Sequence, residues 1–139
     1  MKTKLHSTAR LIKDLRIAVD DGRAHSVLLD LPPELGTNMG PSALELGVMS
    51  YAGCMATIFS LVAKKMKVNL KDLEVKLEAV KLEEAGTITE ANFLITVKTD
   101  VDEDKIQRIF KVTLNNCPVG ILFEKAGVKT SYKLKTEKQ

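Results

Sequence analysis

Tryptophan is absent from this 139-residue chain, and the other aromatics are four Phe and two Tyr, 4% of the whole. The core must therefore be built from Leu, Val, Ile, Ala and Met. Cysteine and histidine are equally scarce, two of each. Cys54, Cys117, His6 and His25 have the head-count of a metal site, but 63 residues separate the cysteines. No CxxC or HExxH spacing occurs, so no metal and no other cofactor is expected. Glycine-rich phosphate loops are missing too, since "AGTIT" and "ELGTNMG" match neither phosphate-cradling pattern. Charge of one sign does not dominate: 21 Lys and Arg stand against 18 Asp and Glu, a net +3. Basic residues alternate with acidic ones without interleaved aromatics, which argues against a nucleic-acid partner. The lysine-rich ends "MKTK" and "KLKTEKQ" read as solvated termini.

The first residues hold no basic n-region followed by an apolar stretch, so a secretory leader is not expected. The expected compartment is cytoplasmic and thiol-reducing, where a permanent disulfide is rare and two cysteines are free to be structural, metal-binding or redox-active. At 45% hydrophobic and 28% charged, residues 1–139 fit one soluble globular domain. One stretch invites a membrane reading: Leu46 to Ala63, 18 residues, carries no charge, the lower limit for a spanning helix. It includes Gly47, Ser50, Gly53, Thr57 and Ser60, and no other feature supports insertion. A fully buried central helix is expected instead.

Patterning gives the organisation. "ARLIKDLRIAVDDGRAHSVLLDL" sets aliphatic residues on both sides of "DDGR", an Asp-Gly turn, which predicts two or three strands in a meander before Leu31. Residues 32–43, "PPELGTNMGPSA", form a loop long enough to suggest a role beyond connection. Ser42 with Glu45 is a capping box for a helix over about 43–66. "LEVKLEAVKLEE" and "ANFLITVKTDV" bracket "AGTIT" as a second hairpin, with Phe93, Ile95 and Val97 on one face. Asp102 or Asp100 caps a short helix with Ile106, Ile109 and Phe110 at helical spacing. Pro118 suits the first position of another, capped by Asn116 or Cys117 and ending near Gly127. "VKTSYKLKT" is a last strand. The fold class is α+β, with residues 1–41 as meander and loop and 42–139 as helices, hairpin and final strand. The central helix is too apolar for a few strands to cover. Small residues at 47, 52, 53 and 56 let another backbone approach, which suggests a homodimer.

The two cysteines differ in setting. Cys117 begins a helix, where unpaired N–H groups and the dipole favour a thiolate and a lowered pKa. Cys54, in "SYAGCMATIF", lies mid-helix and would need a nearby cation to ionise. Both also fit plain buried cysteines. His25 would be the base of a Cys–His hydrolase, though its spacing carries no such signal.

"LDLPPELGTNMGPSALELGVMSYAGC", followed some sixty residues later by "NNCPVGILFEKAGV", resembles the OsmC/Ohr family of thiol-dependent peroxidases. Members have a loop, a Gly-Pro entry, an acidic residue in the first helical turn, a small-small-Cys helix and a later Cys-Pro-Val helix start. The resemblance implies an intertwined homodimer with sheets wrapped around long central helices. It implies reduction of organic hydroperoxides, with electrons from a dithiol or a lipoyl-protein. Cys54 matches the peroxidatic thiol and Cys117 the resolving thiol. An early-strand arginine pairs with the thiolate in that family: Arg23 is the candidate here, with Arg10 and Arg16 as alternates. The studied peroxidases carry Glu ten residues before the first Cys. That position is Leu44 here, and Glu45 matches a subgroup with an "ELLLAAL"-like helix entry. Nine helical residues place Glu45 opposite Cys54, so Glu45 is either a catalytic group acting across a dimer or a cap. An apolar pocket is expected from Met49, Tyr51, Met55 and Phe59, with Phe110, Leu122 or Phe123. The rival reading is a non-catalytic dimeric module of the same fold that binds a small apolar or thiol-reactive ligand.

Overall fold

Turn chemistry and alternation divide the chain as the pattern predicts. The computed structural model describes residues 1–138. The chain forms two units, Met1–Gly47 and Val48 onward.

In the first unit, β1 (Thr8–Lys13), β2 (Arg16–Asp20) and β3 (Ser26–Leu29) form an antiparallel meander. β2 pairs with β3 from Ile17 opposite Leu29 to Asp20 opposite Ser26, and the "DDGR" turn joins them. Asp20 and Asp21 accept backbone N–H groups from Gly22 and Arg23 in this turn, the local bonding that makes Asp a turn residue. Every residue of β1 is exposed, and Leu11 and Ile12 keep more than half their surface. Asp30 is the one buried residue of the unit.

A loop follows and folds around that aspartate. The Asp30 carboxylate accepts the Thr37 hydroxyl at 2.6 Å and the N–H groups of Leu31, Met39 and Thr37 at 2.7, 3.0 and 3.4 Å. Arg16 Nε donates to Thr37 Oγ1 at 3.0 Å and lies 3.9 Å from Asp30 Oδ2. The loop has no room for larger residues at two points. A Cβ on Gly36 would fall 2.6 Å from Asp30 Oδ1, and one on Gly40 would strike the Leu28 carbonyl.

Helix α1 (Ala43–Lys65) begins at the capping box. Glu45 N–H donates to Ser42 Oγ at 3.1 Å, and Ser42 N–H donates to Glu45 Oε1 at 2.9 Å. This satisfies two N–H groups that the helix itself leaves unpaired.

The second unit holds the rest of α1 with β4 (Asp72–Leu82), β5 (Thr87–Lys98), α2 (Glu103–Asn116), α3 (Pro118–Lys125) and β6 (Lys129–Glu137). β5 is the central strand, antiparallel to β4 and parallel to β6. A parallel neighbour needs a long crossover, and α2 and α3 supply it. All the buried apolar residues among those described belong to this unit. Tyr51, Met55, Phe59 and Val62 recur along one side of α1, and Ala91, Phe93, Ile95 and Val97 alternate along β5. The periods of 3.6 and 2 bring the two rows together, and Ile106 and Ile109 of α2 join them.

The expectation of a fully buried α1 is corrected. One sheet covers one side of a helix, and within the chain only that side is buried. Met49 and Leu61 are about half exposed at 55% and 45%, and Ser50, Gly53, Thr57 and Ser60 are also exposed. By length and composition α1 is apolar enough to cross a membrane.

Candidate active site

Cys54 and Cys117 meet although 63 positions separate them. The Cys117 S–H donates to Cys54 Sγ at 3.2 Å. Cys54 is half-buried and Cys117 buried, both as free thiols. The crossover produces this meeting: the turn between α2 and α3 returns the chain to the α1 face that carries Cys54. Extended backbone at Cys117 (φ −85°, ψ 105°) stops α2 and starts α3, with Pro118 at the first helical position. Pro118 has no N–H to leave unpaired and a φ already suited to a helix. The Cys117 sulfur takes the capping role and accepts the Gly120 N–H at 3.4 Å.

The expected low pKa of Cys117 is overturned. Burial, reinforced by the neighbouring Cys54 sulfur, pushes the thiol up to about 11, and the N–H groups of Gly120 and Val119 only partly offset this. The helix start donates as expected, but a sulfur 1% exposed loses more solvation than two weak donors return.

Beside Cys117 lies a cavity of about 30 Å³, lined by Tyr51, Met55, Leu114, Cys117, Gly120, Glu124, Thr130 and Tyr132. Tyr51 crosses Phe93 edge-on at a ring separation of 4.7 Å and packs on Phe123 at 4.5 Å. Burial first, then the Tyr132 hydroxyl and the acidic neighbours Cys117 and Glu124, keep the Tyr51 phenol protonated far above its ordinary range.

The expected apolar pocket is thereby revised. Tyr51 and Met55 line the cavity, but Phe59 is core, Met49 and Leu122 are exposed, and the opposite wall is polar. Sequence reasoning missed Glu124, Thr130 and Tyr132. Glu124 had a readable signal, standing seven residues, two helical turns, beyond Cys117.

The other candidates have their own partners within the first unit. Arg23 is 78% exposed and lies 3.6 Å from the Asp21 carboxylate, which also accepts His25 Nδ1 at 2.8 Å. The Arg23 N–H and the His25 hydrogen bonds hold the Asp21 carboxyl down at about 2. Arg16 is pinned to Thr37 and Asp30. Glu45 is engaged in the capping box, and its Ser42 hydrogen bonds lower its pKa. Among the described residues, no group of three or more His, Cys, Asp or Glu is placed to hold a metal ion.

The architecture is shared with solved proteins of low sequence identity. An OsmC-like protein from Mycoplasma pneumoniae superposes with a TM-score of 0.86 at 17% identity, covering 98% of this chain and 99% of that one. An organic hydroperoxide resistance protein from Elizabethkingia anophelis gives a TM-score of 0.73 at 16% identity, covering 99% of each chain. One from Legionella pneumophila gives 0.67 at 16%, covering 96% and 97%. No curated protein matches the chain by sequence. The sequence model of the OsmC-like proteins matches residues 36–133, well over half the chain and inclusive of both cysteines. This chain belongs to the OsmC-like family.

Proposed function

We propose that the protein reduces organic hydroperoxides through Cys54 and Cys117, as a homodimer in a thiol-reducing, cytoplasmic setting. The observation that carries this reading is the 3.2 Å approach of the two sulfurs, about an ångström from bonding distance. The Cys54 thiolate attacks the distal peroxide oxygen. An S–O bond forms, the O–O bond breaks, and the alkoxide leaves as the alcohol once protonated. Cys117 then attacks the Cys54 sulfenic acid. The S–S bond forms, the S–O bond breaks, and water departs. An external dithiol, such as a reduced lipoyl-protein, restores both thiols by exchange. The thiolate needs a cation, and Arg23 is proposed for it, with Arg16 and Arg10 as alternates. Glu45 caps α1 and is proposed to serve the reaction only as a second role.

The dimer reading is supported by two faces that the chain leaves uncovered. One is the small, apolar side of α1 around Gly53, where an added Cβ meets nothing within 4 Å. The other is the meander, whose aliphatic residues find no core within their own unit. A Gly53→Glu change is expected to turn a dimer into a monomer in sedimentation velocity; wild-type protein that sediments as a monomer would sink the dimer.

The test of the reaction is to treat reduced protein with cumene hydroperoxide and map the products by mass spectrometry. Rapid Cys54–Cys117 disulfide formation, lost in Cys54→Ser and slowed in Arg23→Ala, is expected. Oxidation no faster than that of an unactivated thiol would instead favour the non-catalytic binding module. Two observations lean toward that second reading: the exposed Arg23 already paired with Asp21, and Leu44 at the position where the studied peroxidases carry Glu.

A further inference from the structure

Resting on the peroxidase reading, the cavity beside Cys117 raises a question which that chemistry leaves open: where the thiol proton goes. The attacking species in disulfide formation is a thiolate, yet Cys117 is buried and its pKa is pushed up to about 11. At neutral pH very little of it is ionised without help. The S–H points at the Cys54 sulfur, the atom that becomes the electrophile, so that sulfur cannot remain the acceptor once oxidised. A second acceptor is needed within reach of Cys117.

Cys117 lines the 30 Å³ cavity, which has the volume for a water molecule and several polar groups to hold it. The titratable groups around it are Tyr51 on α1, Cys117 capping α3, Glu124 on α3 and Tyr132 on β6. No lysine, arginine or histidine lines it. Both phenols are donors, and burial keeps that of Tyr51 protonated. Glu124 supplies the one carboxylate, and its charge is felt at the Tyr51 hydroxyl.

We propose that Glu124 is the proton acceptor for the resolving thiol, taking the Cys117 proton through a water held in this cavity by the Tyr51 and Tyr132 hydroxyls. As the Cys117 S–H bond breaks, its electron pair forms the bond to Cys54. The Cys54 S–O pair leaves with the oxygen as hydroxide. The hydroxide takes a proton from solvent, and Glu124 returns the thiol proton to solvent from its exposed position at the end of α3. The net change is one sulfenic acid and one thiol converted to one disulfide and one water.

The test is single-turnover oxidation of the reduced protein by cumene hydroperoxide, with dimedone trapping of Cys54 sulfenic acid and mass spectrometry of the disulfide from pH 6 to 10. Glu124→Gln is expected to slow disulfide formation about 100-fold or more at pH 7, from the lower end of the scale of one general base upward. The sulfenic acid then accumulates, and the variant converges on wild type as hydroxide begins to remove the thiol proton directly. Tyr132→Phe is expected to give a smaller slowing with the same recovery. Disulfide formation in Glu124→Gln as fast as in wild type at pH 7 would overturn the proposal. So would a slowing that persists unchanged at every pH, since that marks displaced geometry and not a missing base. Wild-type protein that forms no disulfide at all would overturn the peroxidase reading, and this proposal with it.

Discussion

The two units are held together by opposite means. The second unit has an apolar core from α1, β5 and α2, with Cys117 in it and Cys54 packed against it. The first unit has no buried apolar residue among those described and is organised by one carboxylate, Asp30, which gathers Thr37, Leu31, Met39 and Arg16. Apolar burial is non-directional and cumulative, whereas a hydrogen-bonded hub is directional and depends on each member. The second unit should therefore yield gradually to changed side-chain volume. The first should yield abruptly to a single lost charge.

Four changes probe this contrast, from the largest effect down. Phe59→Ala removes a ring with no exposed surface and should cost about 3–5 kcal/mol in urea unfolding, with the Asp21 turn unaltered. Asp30→Ala should leave the second unit's protected amides intact in hydrogen exchange while the amides of Thr37 and Met39 lose protection. Protease sensitivity should appear between residues 31 and 40. Loss of protection spread evenly over both units would erase the distinction.

Acid and alkali should separate the units in the same way. The Thr37 hydroxyl and the backbone donors, opposed in part by burial, hold Asp30 at about 2 against an ordinary 3.8. A depressed carboxyl stabilises above its unfolded pKa, and that stability is lost as pH falls through the folded value. The 30–40 loop should thus loosen between about pH 4 and 2. Cys117 has the opposite sign. Its raised pKa stabilises below the ordinary 9.0, and the contribution fades as pH rises toward about 11. Stability of the reduced second unit should decline over that range, and Cys117→Ser should abolish the decline. The smallest effect is expected for Ser42→Ala, which removes half of the capping box and should cost about 1 kcal/mol, read as fraying of the first turn of α1.

Much of this was legible in the sequence, for local reasons. Asp-Gly turns, the Ser42–Glu45 box, the alternation at Phe93, Ile95 and Val97, and Pro118 after Cys117 each act through near neighbours, so a linear reading reaches them. What could not be read is long-range. β6 lies parallel to β5, and only the crossover of α2 and α3 shows why. Asp30 was not singled out, because its partners lie up to nine positions along the loop, with Arg16 on β2. Cys117 shows the limit most clearly: the helix start was correctly placed, but the burial that reverses its effect depends on side chains from α1, α2 and β6.

The 63-position separation of the two sulfurs has a last consequence, for the chain when it unfolds. A bond between Cys54 and Cys117 closes a loop of nearly half the protein. Confining the unfolded chain in that way is worth about 4 kcal/mol on the chain-entropy scale. Oxidation of the pair would then do more than join two sulfurs. It would fasten the central helix to the crossover and raise the melting temperature of the spent form above that of the reduced form. The oxidised molecule would be the more durable of the two.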